Sequence, residues 1–174
     1  LTASTVKKPK LKVQLMGSGT ILREVEAAAA ILKADYKVEA DIWSATSINL
    51  LRRDGLDCER WNMLHPESEP RVPYVTDLLR GKQGPVVCAT DYIKSYGEQL
   101  RPYIEARYVV LGTDGYGRSD TRAKLRQHFE VDRQYIVIAA LKALADDGQI
   151  ALSEVTKAIK AFGLDVDKIN PLSR

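Results

Sequence analysis

The sequence predicts an α/β domain, a three-layer α/β/α sandwich whose mostly parallel sheet has the strand order 2-1-3-4. Three observations predict it. Short apolar runs alternate with stretches of helical periodicity along the 174 residues, the pattern of parallel strands joined by crossover helices. The runs are apolar on both sides, as strands covered on both faces are. Right-handed crossovers, with helices needed on each face, favour 2-1-3-4 over a singly wound sheet. Composition agrees, at 45% hydrophobic and 28% charged residues, and a chain of this size buries about 70% of the surface of its unfolded form. No apolar run approaches the roughly 20 residues of a membrane-spanning helix.

Residues 1–11 read as a linker of small polar residues, Pro9 and lysines. Lys7, Lys8, Lys10 and Lys12 crowd together and contribute to a net charge of +3, which could attract nucleic acid or phospholipid. No zinc-finger, RNA-recognition or basic-zipper pattern accompanies them, so neither nucleic acid nor membrane is expected as a partner. The first strand, residues 12–16, stops at Gly17-Ser18-Gly19. From Thr20 onward Ile21, Leu22, Val25, Ala28, Ala29 and Leu32 share a helical face, with Ser18 or Thr20 placed to cap it. A second strand spans 38–45, and a helix runs from 47 to about 65. Pro66, Pro70 and Pro73 make 66–72 a loop before a short helix over 73–80. The third strand is 85–89, followed by a helix over 92–103, and the fourth strand is 108–111. Helices then fall at about 121–129, 132–145 and 152–162. The run from Ile136 through Ile138 to Leu141 has almost no polar face, which predicts burial on more than one side.

Two turns at strand ends are candidate sites. Gly17-Ser18-Gly19-Thr20 follows strand one at the switch point of the predicted sheet, where open α/β sheets bind ligands. Its backbone N–H groups could hold a phosphate or carboxylate. It lacks the third glycine of a dinucleotide fingerprint and the lysine of a P-loop, and a tight turn with a helix cap explains it as well. If this turn carried the function, the chain would be a stand-alone α/β ligand-binding or regulatory module. The second turn, residues 112–120, packs three glycines beside Asp114, Arg118, Ser119 and Asp120. These four are candidates for an assembly or site-shaping loop, with Arg118 as a rigid fork for a carboxylate on another domain or subunit. The local alternative is a turn in which Ser119 or Asp120 caps the next helix.

A third stretch, residues 57–66, holds an acid, a thiol, a base and an imidazole, which invites a nucleophilic reading. Cys58 and His65 stand seven apart, on one helical face but two turns away and beyond contact, so packing is the better account. His128 reads as a surface or interface residue. Two histidines without metal spacing argue against zinc. Cys58 and Cys88 make no disulfide framework, which points to a reduced, cytoplasmic setting. The chain opens on Leu1 without a methionine, which predicts that it was cut from a longer protein.

The stretches D-G-L-D-C-E-R-W-N-M-L-H-P (54–66), V-P-Y-V (72–75), A-T-D-Y-I-K (89–94), L-G-T-D-G-Y-G-R-S-D (111–120), L-R-Q-H-F-E-V-D (125–132) and D-K-I-N-P (167–171) resemble the C-terminal end of the homodimeric pyruvate dehydrogenase first-component family. The likeness runs from about residue 13 to 171, and the looser transketolase pattern fits less well. It implies a transketolase C-terminal-like fold with a mixed sheet and one antiparallel edge strand, here within residues 1–11 or lacking. It implies a parent of three α/β domains that decarboxylates pyruvate on thiamin diphosphate with magnesium. That parent passes the acetyl group to the lipoyl-bearing acetyltransferase component. The family's cofactor lies between the other two domains, and this chain has neither the G-D-G tripeptide of its diphosphate site nor a match to a catalytic histidine or glutamate. No catalytic, cofactor-binding or metal residue is assigned here, and the chain alone is expected to bind no cofactor and to be inactive.

Overall fold

Four strands, β1 (Lys12–Gly17), β2 (Glu39–Ser44), β3 (Val86–Ala89) and β4 (Tyr108–Leu111), pair in parallel in the order β2-β1-β3-β4. The computed structural model describes residues 1–6 and 8–173; Lys7 of the basic N-terminal stretch lies outside them. Among the described residues seven α-helices accompany the strands: α1 (Leu22–Tyr36), α2 (Ile48–Leu64), α3 (Tyr74–Leu79), α4 (Lys94–Glu98), α5 (Arg122–His128), α6 (Arg133–Asp146) and α7 (Leu152–Ala161).

Side-chain alternation along the strands feeds two cores. Val13, Leu15, Val87 and Ala89 face one side, where they meet Val25, Ala28 and Leu32 of α1, Ile136, Val137, Leu141 and Leu144 of α6, and Val155 of α7. Met16, Trp43, Val86, Cys88, Tyr108 and Val110 face the other, against Ile48, Val75, Leu100 and Tyr103. Each fully buried leucine or isoleucine contributes about 1.5–3 kcal/mol. Gln14 is a buried polar residue on β1, and both ends of its amide are used. Its Oε1 accepts from Trp43 Nε1 at 2.9 Å, and its Nε2 donates to the Gln83 carbonyl at 3.0 Å.

The antiparallel edge implied by the family resemblance is a single bridge. Thr2 N donates to Ile42 O at 2.8 Å and Ile42 N to Thr2 O at 2.9 Å. Ser4 adds bonds to Asp41 and Glu39 of the same strand, and Lys12 pairs with Asp41 at 2.8 Å.

Four local expectations are corrected. Neither Ser18 nor Thr20 caps α1; a 3-10 turn, Gly19–Ile21, precedes it, and the Thr20 hydroxyl is turned toward Asp91. The predicted helix 92–103 divides into α4 and a 3-10 turn, Arg101–Tyr103. Pro102 has no N–H to continue α4, and at Gly97 a Cβ would press on the Val110 side chain at 2.6 Å. Thr121, not Ser119 or Asp120, caps α5, accepting from Lys124 N. In α6, Ile136 and Val137 are fully buried, but Ile138 is only half-buried at the margin of the core.

That difference sets a prediction. Val137→Asp should cost several kcal/mol or abolish folding, because a buried unpaired charge is expensive. Ile138→Asp should cost clearly less. Urea unfolding of the two variants checks this, and equal losses would refute the placement of α6.

Candidate functional site

The order of the sheet reverses between β1 and β3. The chain leaves β1 for α1 on one face and leaves β3 for α4 on the other, which opens a crevice at the C-terminal ends of these strands. Ser18 N donates to Ala89 O at 3.1 Å and closes the base of that crevice. Gly19 adopts φ +58, and a Cβ there would stand 3.3 Å from the Asp91 carboxylate. Thr20 Oγ1 donates to Asp91 Oδ2 at 3.4 Å and accepts from Arg126 Nη2 at 3.4 Å. A carboxylate of the chain itself therefore occupies the mouth of the candidate anion-binding turn.

The loop after β4 is fastened to the segment after β3 by backbone geometry. A Cβ at Gly112 would meet Tyr92 O and Lys94 N, each at 2.7 Å. Thr113 N donates to Tyr92 O at 2.8 Å, and Thr113 Oγ1 to Asp91 O at 2.7 Å. Asp114 Oδ1 accepts from Lys94 N at 2.8 Å, at the start of α4. Asp120 Oδ1 accepts from Thr121 N at 2.6 Å. Between these ties Tyr116, Gly117, Arg118 and Ser119 are exposed, and among the described residues Arg118 makes no ion pair.

Both candidate turns line one cleft of about 620 Å³. Thr20, Asp91, Arg118, Asp120, Arg122 and Arg126 supply its polar groups, and Ile21, Leu125, Phe129 and Val131 its apolar surface. Gly17 and Ser18 support it from the strand end, and Asp114 and Ser119 lie outside the lining.

Glu24, on the first turn of α1, fixes one wall. It is 5% exposed and binds Arg126 Nη1 at 2.7 Å, Arg133 Nε at 2.9 Å and Arg133 N at 3.1 Å. The Arg133 hydrogen bond, with the nearby charges of Arg133 and Arg126, holds this carboxyl below the usual range although burial opposes it. Asp91, Glu24 and Arg126 were missed by sequence reasoning. Asp91 follows the third strand at the switch point, and Glu24 lies next to Val25 on a helix face that packs inward. Both positions were available as signals.

Residues 54–66 form a clasp. Asp54 Oδ2 accepts from Tyr74 N at 2.6 Å, and a Cβ on Gly55 would overlap the Tyr103 ring. Asn62 pairs with both backbone groups of Arg71, at 2.9 and 2.7 Å. Trp61 is sandwiched between the His65 ring and the Arg71 guanidinium, each 3.6 Å from its centroid. Cys58 is buried, and desolvation with Asp54 and Asp57 nearby pushes its thiol up. Burial pushes Cys88 up to about 11. Neither thiol is a ready nucleophile at neutral pH.

The profile of the transketolase-like TK C-terminal domain family matches residues 3–132. The chain is 55% identical over 162 residues to the pyruvate dehydrogenase E1 component of Cupriavidus necator, covering 93% of this chain and 18% of that protein. It is 54% identical over 168 residues to the pyruvate dehydrogenase E1 component of Escherichia coli K12, covering 96% and 19%. The chain thus spans about a fifth of the length of these relatives. Among solved structures, a split-gene transketolase described as an inactive β4 tetramer superposes with a TM-score of 0.50 and 19% identity, over 80% of this chain and 41% of that one. That likeness concerns the fold.

Glu24→Gln should destabilise the domain by roughly 2 kcal/mol at pH 7, the scale of hydrogen bonds to a charged group. The folded pKa of Glu24 lies below its unfolded value near about 4.3, so its contribution is present at neutral pH. It is lost as the pH falls through the folded pKa. The gap between wild type and variant should therefore close in acid. In denaturant titrations, a gap that stays constant from about pH 7 down to about pH 3, where carboxylates titrate, would contradict the pairing.

Proposed function

The chain belongs to the transketolase-like C-terminal domain family, and we propose that it is the C-terminal domain of a cytoplasmic pyruvate dehydrogenase, supporting assembly and shaping an active site built by the other domains. The observation that carries this reading is the 55% identity to a pyruvate dehydrogenase E1 component over 93% of the chain. The parent is a homodimer that decarboxylates pyruvate with thiamin diphosphate and magnesium. It reductively acetylates lipoyl groups of the acetyltransferase component.

Thiamin diphosphate held through magnesium needs oxygen donors converging on the ion. Among the described residues no three His, Cys, Asp or Glu side chains converge. At the cleft, Asp91 is engaged with Thr20, and Asp120 with Thr121 N. The donor set of this chain does not fit the cofactor, and no step of the reaction is assigned to its residues. A stand-alone anion-binding module at residues 17–20 is disfavoured by the Asp91 carboxylate beside the turn.

The contribution of this domain is the loop 112–120. Its backbone is tied down, while Arg118 is left free to pair with a carboxylate on another domain or subunit. An arginine fork held on a fixed loop loses little entropy on pairing.

The intact parent should decarboxylate pyruvate when given thiamin diphosphate and magnesium, whereas the 174-residue chain should show no saturable cofactor binding by calorimetry. Arg118→Ala should weaken dimer assembly of the parent or raise its KM, and leave melting of the 174-residue chain unchanged. Destabilisation of that chain by about 2 kcal/mol, the cost of breaking a hydrogen-bonded charge pair, with normal assembly would overturn the role given to the loop.

A further inference from the structure

The end of the chain is latched onto the same loop. Lys168 Nζ donates to Gln127 O at 3.2 Å and His128 O at 2.9 Å, and pairs with Glu130 at 3.1 Å. These contacts join the tail to the end of α5. Three residues on, buried Pro171 meets Gly115, which has φ +102, and a Cβ at Gly115 would overlap the Pro171 carbonyl. No other residue type fits at Gly115 without moving the tail or the loop.

With the tail held at positions 168 and 171, the apolar side chains between and beyond them stay outside. Ile169 is half exposed and Leu172 is 65% exposed. Leu172 follows directly on the contact with Gly115, whose own neighbour in sequence, Tyr116, is 80% exposed. The Thr113–Tyr92 bond brings Tyr92 to the same loop, 59% exposed and packed on Tyr96 with ring centroids 4.6 Å apart. Three segments distant in sequence, joined through Thr113 and Gly115, thus expose aromatic and aliphatic groups on and next to the loop that carries Arg118, which makes no ion pair among the described residues. Such a cluster matches the centre of a protein interface, where aromatic and arginine anchors are enriched. Each segment is fixed by the domain's own bonds, so little ordering entropy remains to be lost on docking.

We propose that tail residues 168–172 form one side of a docking surface with Tyr92, Tyr116 and Arg118, and that its occupant is an apolar patch bearing a carboxylate on the rest of the parent polypeptide. The carboxylate follows from the unpaired guanidinium, and the apolar surround from the exposed tyrosines, Ile169 and Leu172. The relatives show where the covering surface comes from, since this domain spans only 18–19% of their length. The proposal rests on the reading of the chain as one domain of a larger enzyme.

Hydroxyl-radical footprinting of the intact parent, native against denatured, tests it. Tyr116, Leu172 and Ile169 should be oxidised roughly tenfold more slowly in the native parent, as expected for side chains in a dry interface centre. Protection of Tyr116 with Ile169 and Leu172 reactive would remove the tail from the surface and overturn the proposal. So would free reactivity of all three, or protection that arises only when the lipoyl-bearing component is added. Protection in a parent that does not act on pyruvate would leave this inference standing and sink the functional reading instead. Leu172→Arg gives an independent check, since an exposed position should not disturb folding. It should abolish the protection of Tyr116 without shifting the melting of the 174-residue chain, and unchanged protection would count against the proposal.

Discussion

Two neighbouring parallel strands, β1 and β3, send their following segments to opposite faces of the sheet, and the C-terminal edge of the molecule is organised by that divergence. The gap has to be closed by something polar, because strand-end N–H and C=O groups border it. Ser18 N on Ala89 O closes its base, and Asp91 closes its mouth through Thr20. Asp91 then offers its own carbonyl to Thr113, and Tyr92 accepts from Thr113 N. The loop after β4 is therefore placed by the same reversal that places the turn after β1.

The bonds of this edge are made largely by backbone and small side chains, leaving the large ones uncommitted. Asp114, Thr113 and Gly112 serve the fold, whereas Tyr116 and Arg118 contribute almost nothing to it. The opposite holds at the wall of the cleft. There Glu24 is held by two arginines, and such a buried carboxylate depends on both partners remaining in place. Rigid walls with free side chains between them are what a docking surface needs, and they are poorly suited to thiol or metal chemistry. The clasp at residues 54–66 shows the same economy: its acid, amide and indole serve to fix the segment from Arg71 to Tyr74 against α2.

The sheet was legible in the sequence because buried parallel strands leave apolar runs that no other element explains, and crossover handedness limits their order. Residues 17–20 and 112–120 were legible as turns at strand ends because glycines cluster there. Their union in one cleft was not, since they lie nearly a hundred residues apart and meet through Asp91, an aspartate in an unremarkable A-T-D-Y stretch. The division of the helix after β3 was hidden as well. Periodicity sees Tyr92 to Tyr103 as continuous, while the break comes from Pro102 and from Gly97 approaching Val110. The latch between Pro171 and Gly115 left no local trace, being a contact between a loop glycine and a carbonyl far along the chain. Contacts of that kind are set by tertiary placement, which propensity and pattern do not carry.

The central claim is that the C-terminal edge of this domain completes itself against the rest of a larger enzyme. The most direct measurement is the structure of the intact parent by electron cryo-microscopy, read at one place. The account predicts a carboxylate from outside these 174 residues in bidentate contact with Arg118, at N–O distances of about 2.7–2.9 Å. An Arg118 side chain open to solvent in that assembly, or paired with an aspartate of its own loop, would contradict it.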